Sequence, residues 1–493
     1  MKLQYALLIA LFCAVAGAST SFGQAICSDT VRSSKLVCVI PQLYGPGGLS
    51  DVGPNAALEE RFNHEAHFGA SFVSEFTPLN SNVASQLAQL PLASPSSGIT
   101  FTFDPTTGAF APSSDISFGP ILGERAETIG RHRLYAAFSY QYFGFNSIDG
   151  LNLKGLPAVF THAPAMLFGS NPPRTCTVDG DNLTGCGYER DVIVTNNRIN
   201  LSANQYTTYL TFGLLRRVDV SVAIPIVSVR MKVTAAAQII PNSDNQPTPT
   251  SAQNLHLFRP RTDCPAPCLS SSFTNERSAS GIGDVIFRVK ANVWKGERAG
   301  VALGVDVRAP TGDELNFLGS GAAGFKPFGV FSYQARFSPH VTLGYQWNGD
   351  SVLAGNLTTG TKAQLPGQFL YSGGVDIAVS KALSVALDLL GQRVIDGSRV
   401  VATTFTDLGP CVPNVPSDPT NPNTYCTSAG PRHTFANITQ TSNSYSINNG
   451  SAGLKFSPVR NRRFLVTTNV FFRLDDGGLR AKVVPLIGAS YTF

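Results

Sequence analysis

Lys482-Val483-Val484-Pro485-Leu486-Ile487-Gly488-Ala489-Ser490-Tyr491-Thr492-Phe493 closes the chain with a period of two. Val483, Pro485, Ile487, Ala489, Tyr491 and Phe493 fall on one face; Val484, Leu486, Gly488, Ser490 and Thr492 fall on the other. Side chains of a strand alternate between two surroundings, so this stretch is a strand with two different neighbours. The same period recurs upstream. Twelve strands are read at 132–146, 200–215, 218–238, 283–295, 299–310, 327–337, 340–349, 368–379, 383–396, 446–457, 463–474 and 482–493. Most reach the roughly 9–11 residues that a tilted membrane strand needs.

The connections alternate in length. Short turns at 215–218, 295–298, 338–339, 380–382 and 458–462 are separated by long loops at about 147–199, 239–282, 311–326, 350–367 and 397–445. The last hairpin, 475–479, is short but falls on the long-loop side. Short turns on one side and long loops on the other is the asymmetry of outer-membrane barrels. A closing strand with a terminal aromatic also resembles that of bacterial outer-membrane β-barrels. The resemblance implies a periplasmic Phe493, outward long loops, outer-membrane lipid around the wall, and recognition of the last strand by the barrel-assembly machinery. The expected fold is all-β, a transmembrane antiparallel barrel of about 12 strands, with 14 as the alternative.

Composition agrees. Only 14% of the 493 residues are charged, against about 25% in an ordinary soluble domain. Polarity comes instead from Ser, Thr, Asn and 46 glycines. A net charge of +5 is modest for this length and does not point to nucleic acid. Residues 1–25 read as a signal peptide: Lys2, an apolar run from Tyr5 to Val15, then small-residue cleavage patterns. That run is too short to span a membrane as a helix.

The strand period assigns the charges. At 340–349, Val341, Leu343, Tyr345 and Trp347 share one face. At 463–474, Phe464, Val466, Val470, Phe472 and Leu474 point outward, and at 283–295 Val285, Phe287, Val289, Ala291 and Val293 do. A charge facing lipid at the midplane costs roughly 2–4 kcal/mol. Arg288, Lys290, Asp306, Arg308, Arg336, Asp376, Asp388, Lys455 and Arg473 are therefore expected to line the lumen. Two readings of these mixed charges compete: a network holding the wall to a plug, and a lining that contacts substrate.

Nine cysteines are present. Without Cys13 of the leader they form four local pairs: Cys27 with Cys38, Cys176 with Cys186, Cys264 with Cys268, and Cys411 with Cys426. Export to an oxidising compartment makes disulfides the expectation. Cys264-Pro265-Ala266-Pro267-Cys268 has no second close pair beside it, so metal binding is not expected.

Residues 26–131 depart from the barrel rhythm. Asn55 to Leu92 has helical spacings through Ala57, Phe62, Phe68, Phe72 and Phe76. A hairpin is expected at 99–111 around Asp104-Pro105-Thr106-Thr107-Gly108. The expected division is a signal peptide at 1–25, a partly helical plug or hatch at 26–131, and the barrel at 132–493. A periplasmic subdomain is the alternative for the middle part.

Gly281-Ile282-Gly283-Asp284, Pro310-Thr311-Gly312-Asp313 and Gly319-Ser320-Gly321 form a spaced set of motifs. The set resembles the outer-membrane proteins named for the MetA pathway of phenol degradation. Thr128-Ile129-Gly130-Arg131-His132-Arg133-Leu134 and Ser147-Ile148-Asp149-Gly150 bracket the first strand as in that family. The family is related in proposed function to FadL-type transporters of fatty acids and aromatic hydrocarbons. FadL-type hatches are associated with Asn-Pro-Ala, whose nearest counterpart here is Asn55-Ala56-Ala57. Asp284 and Asp313 are read as turn caps ahead of ligands.

The resemblance implies passive uptake of a small hydrophobic or aromatic molecule across the bacterial outer membrane, without a cofactor. A general porin for polar solutes and a structural or adhesive surface barrel are the other readings. An enzyme is not expected. Of the seven histidines none sits mid-strand beside an outward serine, and there is no Gly-x-Ser-x-Gly elbow.

Overall fold

The computed structural model describes residues 26–27, 31–44, 51–52, 101–104, 109–112, 117–161, 191–242, 257–258, 262–264, 268–357, 360–413, 426–429, 431–459 and 462–493. Twelve antiparallel strands close into a barrel. The wall strands are β1 (Leu134–Ile148), β2 (Val192–Leu215), β3 (Val218–Ile240) and β4, which runs in two segments, Ser270–Ile282 and Val285–Lys295. They continue as β5 (Ala299–Ala309), β6 (Gly324–Tyr333), β7 (Phe337–Asn348) and β8 (Gln368–Ala378). The last four are β9 (Leu383–Thr406), β10 (Thr434–Phe456), β11 (Phe464–Arg473) and β12 (Val483–Thr492). Each strand pairs with its sequence neighbours, and β12 closes on β1 with Leu486 opposite Gln141 and Thr492 opposite Tyr135. Closure leaves the wall without an unpaired edge, the condition for a sheet to cross lipid.

The closing strand shows why the wall takes this form. Val483, Ile487 and Phe493 are exposed, whereas Val484, Leu486, Ser490 and Thr492 are buried. The same phase puts Val341, Leu343 and Trp347 of β7 and Val470 and Phe472 of β11 outside. The outer apolar belt is continuous with Phe138, Leu210, Ile226, Phe287, Val289, Leu303, Phe331, Leu387 and Leu454 from the other strands. A belt of this kind needs lipid, because water would leave it unburied.

Above the belt the two faces exchange polarity. In β3 the inward residues pass from Asp219 and Ser221 to Val227, Val229, Met231, Val233, Ala235, Ala237 and Ile239, the apolar ones all buried. The outward residues pass from Ile226 to Ser228, Arg230 and Lys232. Arg230 and Lys232 pair with Glu276 on the facing segment of β4, Arg230 at 2.5 Å. The strand thus leaves lipid for water and carries an ordinary apolar core inside its upper half. This inversion explains three differences from the sequence expectation. The upper segment of β4 (Ser270–Ile282), the end of β9 up to Thr406 and the start of β10 from Thr434 are strand, where the sequence alone reads as loop.

The turn expected at Ser338-Pro339 lies at 334–336, because Ser338 pairs with Asp376 inside the ladder of β7 with β8. The short turns 216–217, 296–298, 334–336, 379–382 and 457–463 share one end with Leu134 and Phe493. A small hairpin, Phe101–Asp104 with Ala109–Pro112, stands where the sequence places it. The leader at 1–25 and the helical pattern at 55–92 lie outside the described residues. So do Cys176 and Cys186, and the disulfide expected between them stays an expectation.

Candidate functional site: a cavity between two inserts in the lumen

Two stretches preceding the barrel lie within it. The lower, 117–131, crosses the lumen near the short-turn end. Its backbone forms no helix or strand, so its polar groups need partners from the wall. The inward side chains supply them. Lys455 donates to the carbonyls of Phe118 and Pro120 (3.3 and 2.5 Å). Lys290 donates to those of Arg125 and Glu127 (both 3.0 Å), and Asn292 to that of Ala126 (2.9 Å). Ser384 and Ser332 accept from Phe118 N–H and Ala126 N–H, and Asp219 from Ile129 N–H. The partners come from β3, β4, β6, β9 and β10, which surround the insert.

The upper insert, 31–44, sits in the apolar core of the long-loop end. Leu36, Val37, Val39 and Ile40 are fully buried there. Tyr44 packs edge-on against Phe160 and Phe273, and Cys27 and Cys38 form a disulfide with Cα atoms 5.5 Å apart. Lys35 pairs with Asp313 at 2.8 Å, and Leu36 N–H donates to Asn316 Oδ1. Burial works to raise the Asp313 carboxyl. The hydrogen bonds from Lys35 and Asn316 outweigh it and hold the group below the usual aspartate range.

The motif residues build the seat for that insert. Asp284 accepts from Gly312 N–H (3.1 Å), Ser320 N–H (2.8 Å) and Ser320 Oγ–H (2.5 Å), drawing the loop after β5 over the mouth. Gly312 and Gly319 meet backbone to backbone: a Cβ on Gly312 would lie 2.6 Å from the Leu318 carbonyl. Asp313 accepts from Leu315 N–H and caps the short turn Glu314–Asn316. Asp149 does comparable work opposite, accepting from Arg399 Nε, Val400 N–H and Gly478 N–H. The glycines and aspartates of the motifs are organisers of the loop end.

Between the inserts lies a cavity of about 340 Å³. Leu122 and Glu124 of the lower insert border it, with Leu318 and the 479–481 hairpin toward the mouth. Its two sides differ. β4, β5 and β6 contribute Arg288, Asp306, Arg308 and Lys326, with Asp284 between the two segments of β4. The opposite strands β10, β11, β12 and β1 contribute Ile447, Phe471, Val484, Phe143 and Phe145. Gln346, Gln368 and Gln392 lie between. The volume falls in the range of small-molecule sites, about 300–1,000 Å³.

Most of the expected lumen residues meet here or just below. Arg288 pairs with Asp306 at 2.6 and 2.8 Å and with Glu124 of the insert; Lys326 pairs with Asp306 at 2.8 Å. Asp388 lies 2.8 Å from His340 Nε2, and Asp376 3.5 Å from Nδ1. Lys290 and Lys455 hold the insert as described. Arg308 is buried beside Asn348. Arg473 stands at the long-loop end, on Ser147 and Asp476. Arg336 is a correction: with β7 beginning at Phe337, it falls in the 334–336 turn, exposed and outside the lumen.

His340, Lys326 and Glu124 escape a reading of the sequence alone. His340 shares the inward phase of Thr342 but stands at the expected start of its strand. Lys326 stands one residue before the expected start of β6. Glu124 lies in a segment without periodicity. Of the four expected cysteine pairs, Cys264 and Cys268 form a disulfide, as Cys27 and Cys38 do. The short strands carrying Cys411 and Cys426 pair with each other. The fourth pair, Cys176 and Cys186, belongs to the stretch 162–190, which is not among the described residues.

Among solved structures, the fold is similar to the COG4313 outer membrane channel of Pseudomonas putida F1, with 10% identity over 75% of this chain and 99% of that one, and a TM-score of 0.40. A FadL homologue of Pseudomonas aeruginosa aligns over 73% of this chain and 90% of its own, at 9% identity and a TM-score of 0.27. The NanC porin aligns over 55% and 93%, at 8% identity and a TM-score of 0.27. No curated protein matches the sequence. Residues 190–398 match the model of one family, a stretch that runs from β2 into β9 and holds the convergent glycine and aspartate motifs. Over that stretch the barrel is similar to the family described as "Putative MetA-pathway of phenol degradation".

Proposed function

We propose that the barrel is a channel for passive uptake of small hydrophobic or aromatic compounds, with residues 26–131 as its plug. The observation that carries this is the cavity with an aromatic side, set between two lumenal inserts. An open general porin would need a hydrated path past Phe118, Leu122 and the 31–44 insert, all of which are packed against the wall. The family description agrees with an aromatic cargo. Downhill diffusion needs no energy source beyond the gradient.

Two paired assays test the reading. Cells whose lipopolysaccharide outer membrane slows apolar solutes should accumulate labelled naphthalene faster when they carry this protein. Proteoliposomes containing it should not swell in arabinose. Arabinose swelling without faster naphthalene entry would make it a general porin. Neither activity would leave a structural or adhesive role.

A further inference from the structure

We propose that the cavity is a binding site for an aromatic carboxylate, its ring on the Phe143, Phe145 and Phe471 side and its anionic group on Arg308. The inference rests on the channel reading above and goes beyond it, because an apolar cargo alone would need no charged wall.

The polar side of the cavity has unequal pairing. Arg288 has two carboxylates, Asp306 and Glu124, and Lys326 has Asp306 at 2.8 Å. Arg308 is different. Its Nη2 donates to Asn348 Oδ1 at 2.8 Å, which is the only hydrogen bond of this guanidinium among the described residues. Asp284 lies 3.6 Å from Nε, an ion pair without a hydrogen bond. The carboxylate of Asp284 is committed to the loop, accepting from Gly312 and Ser320. Nε itself is buried without a hydrogen-bond partner. A buried guanidinium offers five N–H donors, and leaving them unpaired is costly.

The surroundings favour an anion over a second cation or an uncharged polar group. The cavity surface carries Arg288, Arg308, Lys326 and Arg480 against Glu124, Asp284 and Asp306, and Arg480 pairs with Asp475 at 3.5 Å. Asn348 also accepts from Gln346 Nε2 at 2.8 Å, so Arg308, Asn348 and Gln346 form one connected polar group. Arg308 lies close against Gly324: a Cβ there would stand 3.2 Å from Arg308 Nε and crowd it. Planar carboxylates match the fork of an arginine side chain. Across the lumen, Phe143 stacks with Phe145 at 6.0 Å and meets Phe471 edge-on at 5.9 Å, a surface suited to a ring. A cavity with one charged and one aromatic wall orients a ligand that has both.

Equilibrium dialysis of the full-length protein in detergent tests this with labelled benzoate, benzyl alcohol and benzylamine. Charge-assisted hydrogen bonding should make benzoate bind at least about tenfold more tightly than benzyl alcohol, with benzylamine weakest. Arg308→Gln should remove that preference while leaving benzyl alcohol binding in place, and Arg308→Lys should keep part of it. If Arg308→Gln does not fold, the ligand series on the unaltered protein decides. Equal binding of benzoate and benzyl alcohol, or benzoate binding unchanged in Arg308→Gln, overturns the assignment. Naphthalene accumulation by cells separates the two claims: its loss refutes the channel, whereas its persistence without benzoate preference refutes only the anion site.

Discussion

Removing the 31–44 insert together with the lower insert, residues 117–126, converts a nearly closed barrel into a conducting one, with single-channel conductance in planar bilayers rising at least about tenfold toward that of an unplugged pore. The lower insert is held by main-chain carbonyls facing Lys455, Lys290 and Asn292, by two serine contacts, and by the pairing of Glu124 with Arg288. Deleting the stretch leaves those side chains facing the lumen. There water replaces the carbonyls, so no charge is stranded in a dry core and the barrel still closes. The wall itself is untouched, because its ladders run strand to strand through β12 and β1. The folded state is checked by the mobility shift of unheated against boiled protein on a gel. Unchanged conductance in a correctly folded variant would show that the lumen is blocked elsewhere.

The wall is legible in the sequence because its information is local. Strict alternation in β7, β11 and β12 identifies a face for lipid without knowledge of any partner strand. The same alternation assigns Arg288, Lys290, Asp306, Arg308, Asp376, Asp388 and Lys455 to the inner face, where Arg288 borders the cavity and the others are buried. The upper halves of β4, β9 and β10 are hidden for a physical reason. Outside the membrane a strand needs no apolar outer face, and β10 from Thr434 to Tyr445 reads as polar loop until β9 is beside it. Arg336 is misplaced through register, since β7 starts before Ser338-Pro339. The cavity is illegible because it is made by strands far apart in sequence and by an insert without periodicity. Glu124 acquires a meaning only when Arg288 is opposite.

The motif aspartate Asp284 is the second place where a single change has a large expected effect. Asp284→Ala should destabilise the folded barrel by about 3–5 kcal/mol, the usual cost of removing one partner of a buried charge pair. Three donors of the loop after β5 lose their acceptor at once, and Arg308 loses its nearest carboxylate. The loop carries Leu318 at the cavity and Asp313 under the 31–44 insert, so its loosening reaches both. Asp284→Asn should be milder, because an amide oxygen still accepts one of the bonds. Urea-dependent loss of the compact gel form measures the difference. Equal stability of Asp284→Ala and the parent protein would mean that the loop is held without this carboxylate.

The cavity as the place where cargo rests is tested most directly by anomalous diffraction from crystals of the full-length protein soaked in 4-bromophenol. The expected result is a bromine peak inside the barrel, between Phe143, Phe471 and Leu122. Bromine only on the outer wall beside residues such as Trp347, or no ordered bromine within the lumen, would contradict it.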